Sequence, residues 1–156
     1  MTPEPLAPWH ALLAPLPDDA VVKRRPVLPP EIAAQPESAA IAGWEQLTVE
    51  LSDACKGMRH LLVVLDEKGR AISASDHVMY RAELSGEEVF FQETVGGRLE
   101  ADGTFRGTRW RTLGLDSPRD EEARLDASPS PPTEAEAQAL KGLVAEIMQR
   151  SIIAAA

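Results

Sequence analysis

Nine of the chain's thirteen prolines fall in residues 1–36 and the other four in 118–132, so the stretch from Glu37 to Ser117 contains none. Proline lacks a backbone N–H and is confined to sheet edges, turns and first helical turns. Hydrogen-bonded structure can therefore run unbroken only between these two proline-bearing regions. The pattern predicts a proline-rich irregular arm over 1–37 and a single α+β domain over 38–156. Within that domain it predicts a sheet over 59–113 and a C-terminal helix over 133–150.

The 156 residues suit one domain with one core, and 44% apolar against 26% charged residues is an ordinary globular balance. The formal charge is −9, spread over arm, middle and end. Such a diffuse negative field repels phosphate backbones, so no nucleic-acid partner is expected. Cys55 is the single cysteine, which forms no internal disulfide and suits a reducing compartment. The first residues carry neither a basic n-region nor an apolar h-region, and no window is apolar enough to span a bilayer. A cytoplasmic protein with no membrane partner is the expectation.

The arm mixes prolines with apolar clusters, from Trp9, Leu12, Leu13 and Leu16 to Val21, Val22, Val27 and Leu28. That composition points to a segment lying against the domain or a partner, with one helical turn near Trp9–Leu13. Lys23-Arg24-Arg25 reads as a solvated turn. Over 38–57, Ile41, Trp44, Leu47, Leu51, Ala54 and Cys55 recur at helical spacing, with Ser38 as N-cap and Gly57 as stop. Leu47, Val49 and Leu51 also alternate with polar residues as in a strand. Length and caps favour the helix. His60–Leu65, Ala71–Arg81, Val89–Ala101 and Thr104–Leu113 then read as four strands of an antiparallel meander. Their turns are expected at Asp66–Gly69, Ser85-Gly86 and Asp102-Gly103. After a polar link, Thr133 and Glu136 make a capping box ahead of an apolar stripe, Leu140, Leu143, Val144, Ile147 and Met148. The expected fold is a four- or five-stranded antiparallel sheet with this helix, and one N-terminal helix, packed on one face.

No phosphate loop, dinucleotide fingerprint, paired-cysteine metal motif or nucleophile elbow is present, so neither a metal nor a cofactor is expected. A two-residue turn at Asp102-Gly103 would pair Val95 with Trp110 and Glu93 with Thr112. Leu65 opposite Arg70 would place Asp76 in the row of Leu61, Val63, Ala74 and Val78. Tyr80 opposite Val89 would set Asp76 against Glu93. Two carboxylates inside an apolar face push one another's protonation upward, as in acid–base dyads. Asp76 and Glu93 are thus the candidate catalytic pair, with Tyr80, Phe91, Trp110 and Thr112 as the candidate ligand-binding wall. Arg109 and Arg111, on the opposite face from Trp110, are candidate contacts for an anion or an acidic partner strand.

The run Val63-Val64-Leu65-Asp66-x-x-Gly69-Arg70-x-Ile72 resembles the opening hairpin of many small sensor and scaffold domains, such as PAS-like or roadblock-like ones. That likeness covers about fifteen residues and assigns no site residue. A non-catalytic domain that binds a small ligand or a protein is the leading reading, with a homodimer compatible. The alternative is a cofactor-independent isomerase or lyase built on Asp76 and Glu93.

Overall fold

Alternation decides the first long strand. Leu47 and Val49 are 1% and 0% exposed, while Thr48 and Glu50, alternating with them, face outward. The computed structural model describes residues 4–5, 12–53, 57–84, 87–115 and 130–155. Trp9, Cys55, the loop at 85–86 and the link over 116–129 lie outside them.

Seven strands form one antiparallel sheet: β1 (Glu4–Pro5), β2 (Lys23–Pro26), β3 (Glu45–Asp53), β4 (Gly57–Leu65), β5 (Ala71–Leu84), β6 (Glu87–Leu99) and β7 (Phe105–Leu115). Six of them, β2 to β7, lie side by side in chain order. The two-residue β1 pairs with Glu83 and Ala82, where β5 runs on beyond the end of β4. A four-residue helix, α1 (Pro30–Ala33), and a 3-10 turn at Pro36–Ser38 precede β3, and α2 (Glu134–Ala155) follows β7. The α+β class is as expected, with six strands in the main path rather than four or five. No described helix is long and apolar enough to cross a membrane.

The helix expected over 38–57 is not formed. Turns occupy 39–43, and β3 takes Glu45–Asp53 in register with β4, Leu47 beside Val63 and Val49 beside Leu61. Pairing with a neighbouring apolar strand outweighs local helical spacing, because it buries both rows at once. Gly57 opens β4 instead of ending a helix. The sheet consequently extends well before residue 59. Lys23-Arg24-Arg25 is likewise no turn but the outer strand β2, and its charges and Pro26 blunt that edge against further pairing.

Two hairpins share one device. Asp66 pairs with Arg70 and Glu100 with Thr104 through their main chains, each around three residues ending in a glycine of positive φ, Gly69 at 79° and Gly103 at 89°. In β4–β5 a bulge then skips Ile72, so Val63 meets Ala74 and Leu61 meets Asp76. The bulge restores the parity expected from the sequence, and Asp76 stays in the inward row. In β6–β7 nothing compensates. The pairs are Val95 with Arg109, Thr94 with Trp110 and Glu93 with Arg111. A one-residue slip moves every position of a strand to the other face.

One face of the sheet carries the core. Leu47, Val49, Leu61, Val63, Leu65, Ala74 and Val95 pack with Leu140, Leu143, Val144 and Ile147 of α2. The capping box of α2 is formed, the Thr133 N–H donating to Glu136 Oε1 at 2.8 Å and the Glu136 N–H to Thr133 Oγ1 at 3.1 Å. The arm completes this layer. Leu16 and Val22 are buried in the same cluster, and Arg150 on α2 donates to the carbonyls of Pro17 and Ala20.

Candidate functional site

Asp76 is the most buried carboxylate among the described residues, at 0% exposure, and its partner is a guanidinium. Arg59, itself 1% exposed, lies on β4 in the same inward row. Its Nε donates to Asp76 Oδ1 at 3.0 Å and its Nη2 to Oδ2 at 2.7 Å. The arm closes the pair. The Leu13 N–H donates to Asp76 Oδ2 at 2.9 Å, and Arg59 Nη2 donates to the Ala14 carbonyl at 2.8 Å. Leu13 holds a φ of 66°, rare outside glycine, which turns its N–H toward the carboxylate. A buried ion pair is tolerable only when its remaining hydrogen-bonding capacity is filled, and here main-chain groups of the arm fill it. Asp76 is thereby an anchor for the arm.

The register moves the expected dyad from opposed to diagonal positions on the core side. Asp76 sits opposite Val95, and Glu93 sits opposite Val78 and Arg111. The long β5–β6 hairpin is shifted two residues from the expected pairing, with Tyr80 against Phe91. Positions 80 and 91 fall on the core side and positions 110 and 112 on the other, so the four expected wall residues do not share a face. The side chains of Tyr80, Phe91, Trp110, Arg111 and Thr112 lie outside the described part of the structure. Arg109, expected on the opposite face from Trp110 and its partner Val95, is on the core face beside Val95. Its Nε is 2.8 Å from Glu136 Oε2 on α2, and its main chain bridges to Ser130. It ties the end of the sheet to the first turn of the helix.

The other face is different in kind. Among the described residues, every buried one of β3 to β6 is on the core side. On the opposite side Gln46, Thr48, Met58, His60, Leu62, Val64, Ser73, Ser75, His77, Met79, Thr94 and Arg98 all keep part of their surface exposed. None of the described elements closes over this open face. A polar row crosses it from strand to strand: Glu50, His60, His77 and Thr94 are successive register partners. His77 Nδ1 lies 2.6 Å from Thr94 Oγ1, and His60 Nδ1 lies 3.6 Å from Glu50 Oε1. Burial holds the His77 imidazole below its usual pKa, the neighbouring His60 adds to this, and Asp76 opposes it. A second row carries Arg25, Gln46, Val64, Ser73, Arg98 and Arg106. Ser73 and Arg98 line a depression of about 280 Å³ with Trp44, Ile72, Leu99 and Glu100.

A wider groove of about 590 Å³ lies between β7 and the start of α2, lined by residues that include Phe105, Arg106, Pro131, Pro132 and Glu134. No group of three histidine, cysteine or carboxylate side chains with metal-binding geometry occurs among the described residues.

Sequence reasoning missed Arg59 and the histidine row. Arg59 shares the alternation of Leu61 and Val63, which is the one signal that could have placed it inward. His60 and His77 become neighbours only once the bulge at Ile72 is known. Comparison of the chain with protein-family models, with curated proteins and with solved structures found no match.

Proposed function

We propose that the protein is a non-catalytic binding domain that engages a protein partner through the open face of its sheet. The observation that carries this reading is that, among the described residues, none on that face is buried, although it spans the same strands that bury a full core on their other side. Met58, at 40% exposure, and the half-buried Leu62, Val64 and Met79 offer apolar contact. Ser73, Ser75 and Gly96 between them are small enough for a partner to approach the sheet closely. An antiparallel sheet can leave one face to solvent, but apolar residues grouped on such a face, as Met58, Leu62, Val64 and Met79 are here, suit a contact surface. Both described depressions are broad surface features, which suits a macromolecular contact better than an enclosed small ligand.

Photo-crosslinking tests the reading. A benzoylphenylalanine in place of Leu62 should capture one discrete protein in the cells that produce this chain, and Ser75→Arg should abolish the product. The same probe in place of Gln138, on the outer side of α2, should not. Equal capture from both positions, or capture that Ser75→Arg leaves intact, would refute the assignment.

A further inference from the structure

Charge is unevenly divided between the two sides of this molecule. The chain has a net charge of −9. Yet the described open face carries Lys23, Arg25, Arg98 and Arg106 against the two carboxylates Glu50 and Glu100, with His60 and His77 between them. Lys23 and Arg25 lie on the edge strand β2, where lysines and arginines also serve to block further pairing. Arg98 has no such role, because β6 is an interior strand. It stands directly opposite Arg106. Like charges at opposed positions destabilise a sheet. Of the two, Arg106 is within 3.6 Å of Glu100 Oε1, a long and exposed contact. Both arginines are exposed, and Thr108 and Ser73 beside them can add hydroxyl donors.

We propose that the partner of the open face is an acidic protein segment, its carboxylates seated on Arg98 and Arg106 and its apolar residues on Val64 and Leu62. The proposal rests on the open face being the docking surface and names the chemistry of what docks there. Arginine forks suit carboxylates through paired N–H donors. A basic patch on an otherwise acidic protein also orients encounter, since an acidic partner is repelled everywhere else. The second cationic group, Lys23 and Arg25, lies across the strands from Arg106, roughly 24 Å away at the usual strand spacing. A partner segment with acidic residues at both ends of an apolar stretch would therefore match the row.

The test is an NMR titration of the full-length, nitrogen-labelled protein with a short all-glutamate peptide. Parallel titrations use an all-lysine peptide and a single-stranded oligonucleotide of matched charge. The glutamate peptide should shift the amides of Ser73, Arg98, Arg106 and Thr108, and its affinity should fall about tenfold or more in Arg98→Glu/Arg106→Glu and at high salt. Arg98→Gln/Arg106→Gln should weaken binding less, and both variants should keep the amide spectrum of the folded sheet. Shifts confined to α2, none at millimolar peptide, or equal shifts by the lysine peptide would overturn the proposal. Tighter binding of the oligonucleotide at the same residues would overturn it in favour of a nucleic acid. If crosslinking through Leu62 succeeds but is indifferent to the charge reversal, the docking surface stands and the acidic partner does not.

Discussion

Replacing Asp76 with asparagine would leave the Arg59 guanidinium buried without its counter-charge and weaken the grip on Leu13. Breaking one side of a buried pair typically costs about 3–5 kcal/mol, whereas replacing both sides with apolar residues is often close to neutral. Asp76→Asn should therefore lower stability by about that amount in urea denaturation, and Arg59→Met/Asp76→Leu should recover most of the loss. His77 provides a second test. Its folded pKa is depressed, chiefly by burial and then by His60, while Asp76 pulls the other way. The unfolded chain therefore binds a proton first as pH falls through about 6.5, and stability drops from there toward the folded pKa. Across pH 7.5 to 5.5 the natural protein should lose stability, and His77→Gln should flatten that decline. The charged and hydrogen-bonding groups around the ring include His60 on β4, Thr94 on β6 and Asp76 beside it on β5. At this scale the sequence was half legible. Alternation marked Asp76 as inward, but the partner of a buried charge depends on register, and register depends on turns.

Those turns determine what could be read at the level of elements. Asp102-Gly103 announced a hairpin, and Gly103 does take the positive φ, but as the last of three loop residues rather than the second of two. Both loops satisfy the glycine equally well, so the pair alone does not distinguish them. The single residue between them reassigns β7, which is why Arg109 reaches Glu136 on the core side. Two glycines of the chain should respond oppositely to alanine. In Gly97 a Cβ would collide with the Arg106 carbonyl and with Gly107 across the hairpin, both of them backbone. Gly142 on α2 has open space where its Cβ would lie. Gly97→Ala should cost about 1–3 kcal/mol or more, and Gly142→Ala should stabilise by about 0.5–1 kcal/mol through helix propensity. Thermal unfolding of the two variants checks both signs.

For the molecule as a whole, the helix is what the sheet needs on its core side. Leu143 is 4% exposed within the shared cluster. Leu143→Ala should cost roughly 2–5 kcal/mol, and the transition should stay single when followed by far-ultraviolet circular dichroism and by tryptophan fluorescence. A split into two transitions would separate α2 from the sheet. The meander and the helix were legible because each rests on a local pattern, alternation in one and a capped stripe in the other. The fixing of the arm was not. Its apolar clusters pointed to a segment lying against the domain or a partner, but Leu13 and Ala14 are held through main-chain groups, which leave no mark on residue type. A different consequence concerns synthesis. Strands β2 to β7 lie in the order in which the ribosome makes them, so each long strand emerges beside a neighbour already available to pair. Only α2 lags, because about 40 residues separate the ends of β7 and α2, a delay of about 2–8 s at ordinary elongation rates. For that interval the nascent sheet displays Leu47, Val49, Leu61, Val63 and Val95 to whatever surrounds it, and that is when this chain most needs a chaperone.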